Sequence, residues 1–146
     1  MKAFEIQVDK SFDVYFRLKV YPSRRAMHAA IKKDDEIIPG GKGGVSKDTI
    51  GMFRSTCGVV NHNIPGICRS NILGIMYVNL ADLSNEVIAH ECAHAAFFWE
   101  HDFRRYTGKF DEDEMEEQEA FCYFVGKAVK IVREIIRKNF NTGDRI

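Results

Sequence analysis

The sequence lacks a long apolar segment, an excess of charge of either sign and any closely spaced cysteine pair. No run of about 18 apolar residues occurs, so no membrane span is expected, and the first residues lack the apolar core of a signal peptide. Acidic and basic residues number 21 each, which gives no general reason to expect nucleic acid as a partner. Without a C-x-x-C pair, a zinc ribbon or a cytidine-deaminase-like site is not expected.

Length and composition indicate one small cytoplasmic domain. A chain of 146 residues with 45% hydrophobic content can bury a single sizeable core, which predicts one domain over residues 1–146. The four cysteines are far apart in the sequence, and without export they are expected to be free, partly buried thiols. They are Cys57, Cys68, Cys92 and Cys122.

The most informative segment reads His-Glu-Cys-Ala-His and runs from His90 to His94. In a helix, residues four apart lie on the same face, so the two imidazoles can reach one ion at about 2.0–2.1 Å. Glu91 then lies beside them to handle a metal-bound water. This is the H-E-x-x-H arrangement of zinc-dependent peptidases.

The flanking residues predict that the motif lies in the middle of a buried helix. Ser84 can cap the helix and Glu86 falls in its first turn, where the dipole favours a negative charge. Mostly apolar residues without glycine or proline surround the motif. Two histidines satisfied by hydrogen bonds in a core are the plain alternative, but burying them with a carboxylate is costly without a cation.

A catalytic zinc needs a third protein ligand and an open position for water. The metzincin extension is excluded because Phe97 occupies its glycine position and Glu100 its last histidine position. His101 would lie two turns beyond His94, about 10 Å along the axis, which is too far for one ion. We interpret His101 as a surface or helix-end residue.

The acidic run at residues 111–119 opens a long helical pattern that continues to about Lys138. Most of these carboxylates are expected to form a solvated helix start. At 100° per residue, Glu117 falls inside the apolar stripe, Glu116 lies at its margin and Glu119 points almost opposite. Glu117 is therefore the predicted third ligand, with Glu119 and Glu116 as alternatives. The stripe comprises Phe121, Phe124, Val125, Ala128, Val132 and Ile135.

The two motifs together resemble a gluzincin, in which H-E-x-x-H is completed by the glutamate of a downstream E-x-x-A helix. Here that second motif is Glu117-Gln118-Glu119-Ala120, 23 residues after His94. The size and spacing are most similar to the ImmA/IrrE-like peptidases of phages, mobile elements and bacterial stress circuits. The resemblance covers about residues 72–130 and implies His90, His94 and Glu117 as zinc ligands and Glu91 as general base. Two features differ: Phe121 follows E-x-x-A, and the Leu-Leu-Met-Pro ending is missing.

The remaining pattern predicts an α+β fold, with a small antiparallel or mixed sheet packed on the motif helix and a long C-terminal helix. Alternating β-rich segments at residues 4–8 and 14–20 predict an antiparallel pair, followed by a short helix from Arg24 to Lys33. Two further strands are expected at 51–60 and 72–80. The second leads into the motif helix, and we expect it to form the edge of the substrate cleft.

The glycine-rich stretch from Pro39 to Gly44 is not a phosphate-binding loop, because Gly43 follows Lys42 where Ser or Thr is required. We interpret it as a connector rather than as a mobile flap beside the cleft. The basic residues Arg133, Arg137, Lys138 and Arg145 are expected to form a solvated face that complements the helix dipole.

These observations predict a minimal zinc metalloprotease acting on a protein substrate. Glu91 would take a proton from zinc-activated water and deliver it to the departing amine. The donor to the oxyanion is left open among Tyr123, Tyr106, Tyr77 and His62. The competing hypothesis is a zincin-fold module that binds a host or regulatory protein by contact without cleaving it.

Overall fold

The computed structural model describes residues 1–8, 14–37, 45–55, 72–100 and 114–146, with the backbone alone at 36–37 and 114–117. Four strands and three helices lie in these ranges. In chain order they are β1 (Lys2–Gln7), β2 (Tyr15–Tyr21), α1 (Arg24–Ile37), β3 (Gly51–Ser55), β4 (Ile72–Asn79), α2 (Asn85–Phe98) and α3 (Glu114–Asn139).

The strands form one mixed sheet in the order β1-β2-β4-β3. β1 pairs antiparallel with β2, as the sequence predicts, β2 runs parallel to β4, and β3 runs antiparallel to β4. The expectation that the strand before the motif helix forms the cleft edge is wrong. β4 lies between two partners because its nearly continuous apolar run can be buried on both faces, and β3 is the edge strand on that side.

Helices cover both faces of the sheet. α2 and α3 pack on the face that carries Phe16, Leu18 and Met76, and this side holds the larger core cluster. α1 packs on the opposite face through Met27 and Ile31, which contact Tyr21 and Tyr77. Successive residues of a strand point to opposite faces, so Met76 and Tyr77 belong to different layers.

The C-terminal helix buries the stripe that its periodicity predicts. Its fully buried residues recur every fourth position, namely Phe124, Ala128, Val132 and Ile136. Phe121, Val125 and Ile135 are partly buried and pack against the same cluster. The helical phase used to choose Glu117 is therefore confirmed over the part of α3 whose side chains are described.

Some element boundaries differ from those expected. α1 continues to Ile37 instead of ending at Lys33, and β3 is described only as far as Ser55. The glycine-rich stretch at 39–44 and the region 56–71 lie outside the described residues. Within the described ranges, no helix combines the length and the apolar character that a membrane crossing requires.

Candidate metal centre

The motif lies on a helix whose start is fixed by its own sequence. Ser84 has an extended backbone and its hydroxyl accepts a hydrogen bond from the Val87 N–H at 3.2 Å, as the capping prediction requires. One side of α2 is buried, and its buried residues are Val87, Ile88, Glu91, Cys92, Ala95 and Ala96. His90 and His94 lie on the exposed side. The expectation of a fully buried helix is therefore corrected to a helix buried on one side.

The two motif histidines converge at their Nε2 atoms. These atoms are 3.1 Å apart, and the rings meet edge to face with centroids 4.7 Å apart. Two nitrogens that bind one tetrahedral zinc at about 2.0–2.1 Å lie about 3.3 Å from each other. The same separation permits a hydrogen bond between a donor and an acceptor tautomer. The side chains are thus already placed where two ligands of one ion must be.

The protonation state of His94 suits this role. Burial, together with the nearby charge of His90, lowers the pKa of His94 below its ordinary value. A lowered pKa keeps the imidazole neutral at neutral pH, and the neutral ring is the form that binds a metal.

Glu91 is the buried carboxylate of the site. Only 4% of the residue is exposed, and its Oε2 has no hydrogen-bond partner among the described residues. Burial raises the pKa of this carboxyl, against the opposing effects of His90 and of a hydrogen bond from the Phe53 backbone N–H. A carboxylate with a raised pKa is a better proton acceptor near neutral pH.

The edge strand β3 holds Glu91 in place by close backbone approach. A methyl group on Gly51 would lie 2.9 Å from Val87 Cγ1 and 3.1 Å from Glu91 Oε1. Any larger residue would therefore push β3 away from α2. Sequence reasoning missed Gly51 and the Phe53 N–H, although a glycine at the start of a predicted strand is a recognised signal of close approach.

A surface cavity of about 410 Å³ opens beside the buried carboxylate. We call it the catalytic cavity, after the catalytic role predicted for Glu91. It lies between the end of the 48–50 segment, the start of β3 and the first half of α2. Its lining residues are Asp48, Thr49, Ile50, Gly51, Glu86, Val87, His90 and Glu91. A group bound in this cavity would contact both His90 and Glu91, the predicted general base.

The third ligand stays a prediction. Among the residues whose side chains are described, no group of three or more His, Cys, Asp or Glu side chains is arranged to hold a metal ion. The side chain of Glu119 belongs to this set and is exposed. The side chains of Glu116 and Glu117 lie outside it, so the structure does not test them.

Helix packing sets a geometric requirement for Glu117. Trp99 stacks on Phe124 with ring centroids 5.1 Å apart, while Asn85 lies with Arg133 and Arg137 at the other end of α2. The helices are therefore antiparallel. From the stack, His94 lies about 7.5 Å back along α2 and Glu117 about 10 Å back along α3, in opposite directions. Glu117 can reach the histidines only if the first turns of α3 bend toward them.

The structure narrows the oxyanion candidates. Tyr77 is fully buried on the α1 side of the sheet, where its hydroxyl donates to Asp34 Oδ2 at 2.7 Å. It cannot reach the motif, so that candidate is wrong. Tyr123 is 47% exposed on α3 and stays a candidate. Tyr106 and His62, like His101, lie outside the described residues.

The motif cysteine lies on the buried side of α2, whereas the two histidines lie on its exposed side. Cys92 is fully buried in the main core, and burial, assisted by Glu91, raises the pKa of its thiol to about 12. A thiol with so high a pKa is neither a thiolate ligand nor a nucleophile at neutral pH. Cys92 and Cys122 are both free, as expected, and Cys57 and Cys68 lie outside the described residues.

Comparisons with protein-family models, with curated proteins and with solved structures gave no match to this chain. A functional assignment therefore depends on the residues of the site and their geometry.

Proposed function

We propose that the chain is a zinc-dependent metalloprotease that hydrolyses a peptide bond in a protein substrate. One observation supports this most directly. His90 and His94 present their Nε2 atoms 3.1 Å apart, beside an open cavity and next to a buried Glu91, one oxygen of which has no partner among the described residues. A structural polar cluster would pair that oxygen, because an unsatisfied buried acceptor costs about 1–3 kcal/mol.

The residues of the site divide the chemistry between them. His90 and His94 would hold the ion, with Glu117 as the predicted third ligand. Zinc, when bound, supplies a Lewis acid for the scissile carbonyl and lowers the pKa of water. Glu91 accepts the proton of the attacking water and passes it to the departing amine nitrogen. The Phe53 N–H and the close backbone at Gly51 fix the orientation of that carboxylate.

The edge strand provides a means of aligning a polypeptide. Among the described strands, β3 has a strand neighbour on one side only, and a strand in that position can add an extended peptide through those main-chain groups that are not already bonded. The Phe53 N–H donates to Glu91, so this edge faces the general base. A peptide lying along β3 would therefore pass the reacting carboxylate. This favours a protein substrate. The cytoplasmic setting and the absence of a nucleic-acid partner stay predictions from the sequence.

Metal analysis tests the proposal. Purified wild-type protein is expected to contain zinc near one equivalent, and His90→Ala and His94→Ala are expected to contain almost none. His28→Ala is the matched control, because His28 lies on α1 and bonds the Thr49 carbonyl. Inductively coupled plasma mass spectrometry gives the ratio. Zinc absent from the wild type, or unchanged in His90→Ala, would reject the metal centre.

A second candidate function is a zincin-fold module that acts on a host or regulatory protein by contact. It is favoured by the finding that only two candidate ligands come together among the described side chains. Glu91→Gln separates the two functions because it should preserve folding and zinc content. A general base contributes about 10²–10⁴-fold to rate, so catalysis predicts loss of the biological effect, whereas a binding module predicts full retention.

A further inference from the structure

A second cavity, of about 560 Å³, lies between the outer flank of α1 and the segment that leads to β3. We call it the basic cavity. Among the described residues, all but one of those that line this cavity are basic, and none is acidic. They are Arg24, Arg25, His28, Ala29, Lys32 and Lys47. In a chain with equal numbers of acidic and basic residues, such a concentration of one sign is a local feature.

Most of this positive charge is not neutralised by the described side chains. Arg24 is the exception, because its Nε and Nη2 donate to the two carboxylate oxygens of Asp82 at 2.9 and 2.7 Å. Arg25, Lys32 and Lys47 are exposed and make no ion pair with the described side chains. Three uncompensated cations around one concave surface attract a ligand with several negative charges.

The basic cavity adjoins the catalytic cavity. The two are separated by a turn at residues 46–49, which is closed by a hydrogen bond from the Thr49 N–H to the Ser46 carbonyl at 3.0 Å. His28 Nε2 lies 2.7 Å from the Thr49 carbonyl and ties the turn to α1. Lys47 lines the basic cavity, whereas Asp48 and Thr49 line the catalytic cavity. A ligand that fills one cavity therefore ends beside the other.

The two cavities differ in the sign of their charge. The described residues that line the catalytic cavity include three with carboxylates, Asp48, Glu86 and Glu91, and no lysine or arginine. A nucleic acid that crossed from the basic cavity toward the histidines would bring phosphates against these carboxylates. A polypeptide can carry acidic residues in one segment and neutral or basic residues a few positions away, at about 3.3–3.6 Å per extended residue.

We propose that the basic cavity is a docking site for an acidic segment of the protein substrate, adjacent to the segment that enters the catalytic cavity. As a substrate site it rests on the proposed protease function. As a binding site it needs neither the metal nor Glu91. Arg25, Lys32 and Lys47 supply the charge, and the 46–49 turn fixes the distance between docking and cleavage.

Binding of a fluorescein-labelled oligoglutamate peptide to the full-length Glu91→Gln protein tests the docking site. Fluorescence anisotropy measures the affinity in the absence and presence of added salt. The double variant Arg25→Glu/Lys47→Glu is expected to weaken binding about tenfold, on the scale of two reversed surface charge contacts. The control Lys130→Glu/Lys138→Glu makes the same change in net charge on exposed positions of α3 and should weaken binding less than twofold, within the error expected of a remote surface change.

The outcomes distinguish the docking site from the protease. If both double variants weaken oligoglutamate binding equally, or if neither weakens it, the docking site is overturned whatever the zinc content. Tighter binding of oligothymidylate than of oligoglutamate, sensitive to Arg25→Glu/Lys47→Glu, would overturn it in favour of nucleic acid. Selective loss of oligoglutamate binding in a protein that holds no zinc would support the acidic-ligand site while rejecting the protease. Circular dichroism of each variant confirms that folding is intact.

Discussion

Each face of the sheet carries a carboxyl group that is partly or fully removed from water, and the pKa values of the two groups shift in opposite directions. On the α1 side, Asp34 Oδ2 accepts hydrogen bonds from Lys19 Nζ at 2.6 Å and from the Tyr77 hydroxyl at 2.7 Å. Burial opposes ionisation there, yet the bonds from Lys19 and Tyr77 hold the pKa of Asp34 below its ordinary value. On the α2 side, Glu91 is more deeply buried, receives one backbone N–H and has its pKa raised by burial.

The difference separates a structural carboxyl group from a functional one. Asp34 joins α1 to β2 and β4 and stabilises the fold as an ion. Within the part of the chain that the structure describes, one oxygen of Glu91 has no partner and lies beside a cavity, so it can take a further hydrogen bond or a proton. Perturbed carboxyl groups in clefts are where catalytic bases are found. The contrast provides three tests.

The largest expected effect concerns the metal on the α2 side. Glu117→Ala is expected to lose zinc and activity, because removing a direct ligand should cost more than the 10–100-fold typical of residues that only support ligands. Glu116→Ala and Glu119→Ala should keep both and change stability by only about 0.3–1 kcal/mol through the helix dipole. Zinc content and proteolysis of the three variants give the comparison.

The structure gives Glu119 one geometric advantage over Glu117 as the third ligand. Glu119 is two residues nearer to the Trp99–Phe124 stack, which is about 3 Å along the helix. Zinc retained in Glu117→Ala but lost in Glu119→Ala would show that the chosen helical phase does not select the ligand. It would also show that, at the start of α3, the helix face that carries Glu119 is the one directed toward the histidines.

A smaller effect is expected where β3 meets Glu91. Gly51→Ala places a methyl group 2.9 Å from Val87 Cγ1 and 3.1 Å from Glu91 Oε1. Forcing this contact should destabilise the protein by about 1–3 kcal/mol and lower activity, because the carboxylate must shift. Urea denaturation and turnover measure the two effects.

Gly126→Ala is the matched control for that substitution. Gly126 lies within α3 and has open space around the position of an added methyl group. Alanine there should stabilise the protein by about 0.5–1 kcal/mol through helix propensity and leave activity unchanged. If the two alanine variants had the same stability and the same activity, the close approach of β3 to Glu91 would not contribute to function.

Much of the fold follows from local patterns in the sequence. Strand alternation predicts β1 and β2, and helical periodicity predicts the core face of α3 from Phe124 to Val132, whereas the next fully buried residue is Ile136 and not the predicted Ile135. Ser84 marks the start of α2. In each case the signal is carried by residues close together in the chain, so periodicity and capping are sufficient.

Strand order and the exposed side of α2 depend on distant contacts. That β3 rather than β4 forms the edge was not predicted, because strand pairing brings together segments far apart in sequence. α2 was expected to be buried all round because alanines raise its apolar content. Ala89 is nevertheless exposed and Ala93 half-buried, on the same side as the histidines. Alanine is a strong helix former at any exposure, so it gives little information on which side faces the core.

Stability of the zinc-free protein provides the smallest and most direct test of the two carboxyl groups. Asp34→Asn should destabilise the fold at neutral pH by about 1–3 kcal/mol, because it removes an ion that accepts two hydrogen bonds. Glu91→Gln should instead stabilise it by about 1 kcal/mol, the size typical of single substitutions that replace an unfavourable residue of a functional site.

The opposite signs follow from pKa shifts in opposite directions. Asp34, with its pKa lowered from 3.8, contributes stability that is present above that value and lost as pH falls through the folded pKa. Glu91, with its pKa raised from 4.5, lowers the free energy of unfolding above its folded pKa, and this loss is relieved as pH falls toward 4.5.

Thermal unfolding in the presence of a chelator, from neutral pH to about pH 4.5, measures both effects. The stability gained by Glu91→Gln should shrink over this range, while the stability lost by Asp34→Asn should persist. A Glu91→Gln variant that is less stable than the parent at neutral pH would show that Glu91 is a structural carboxyl group like Asp34.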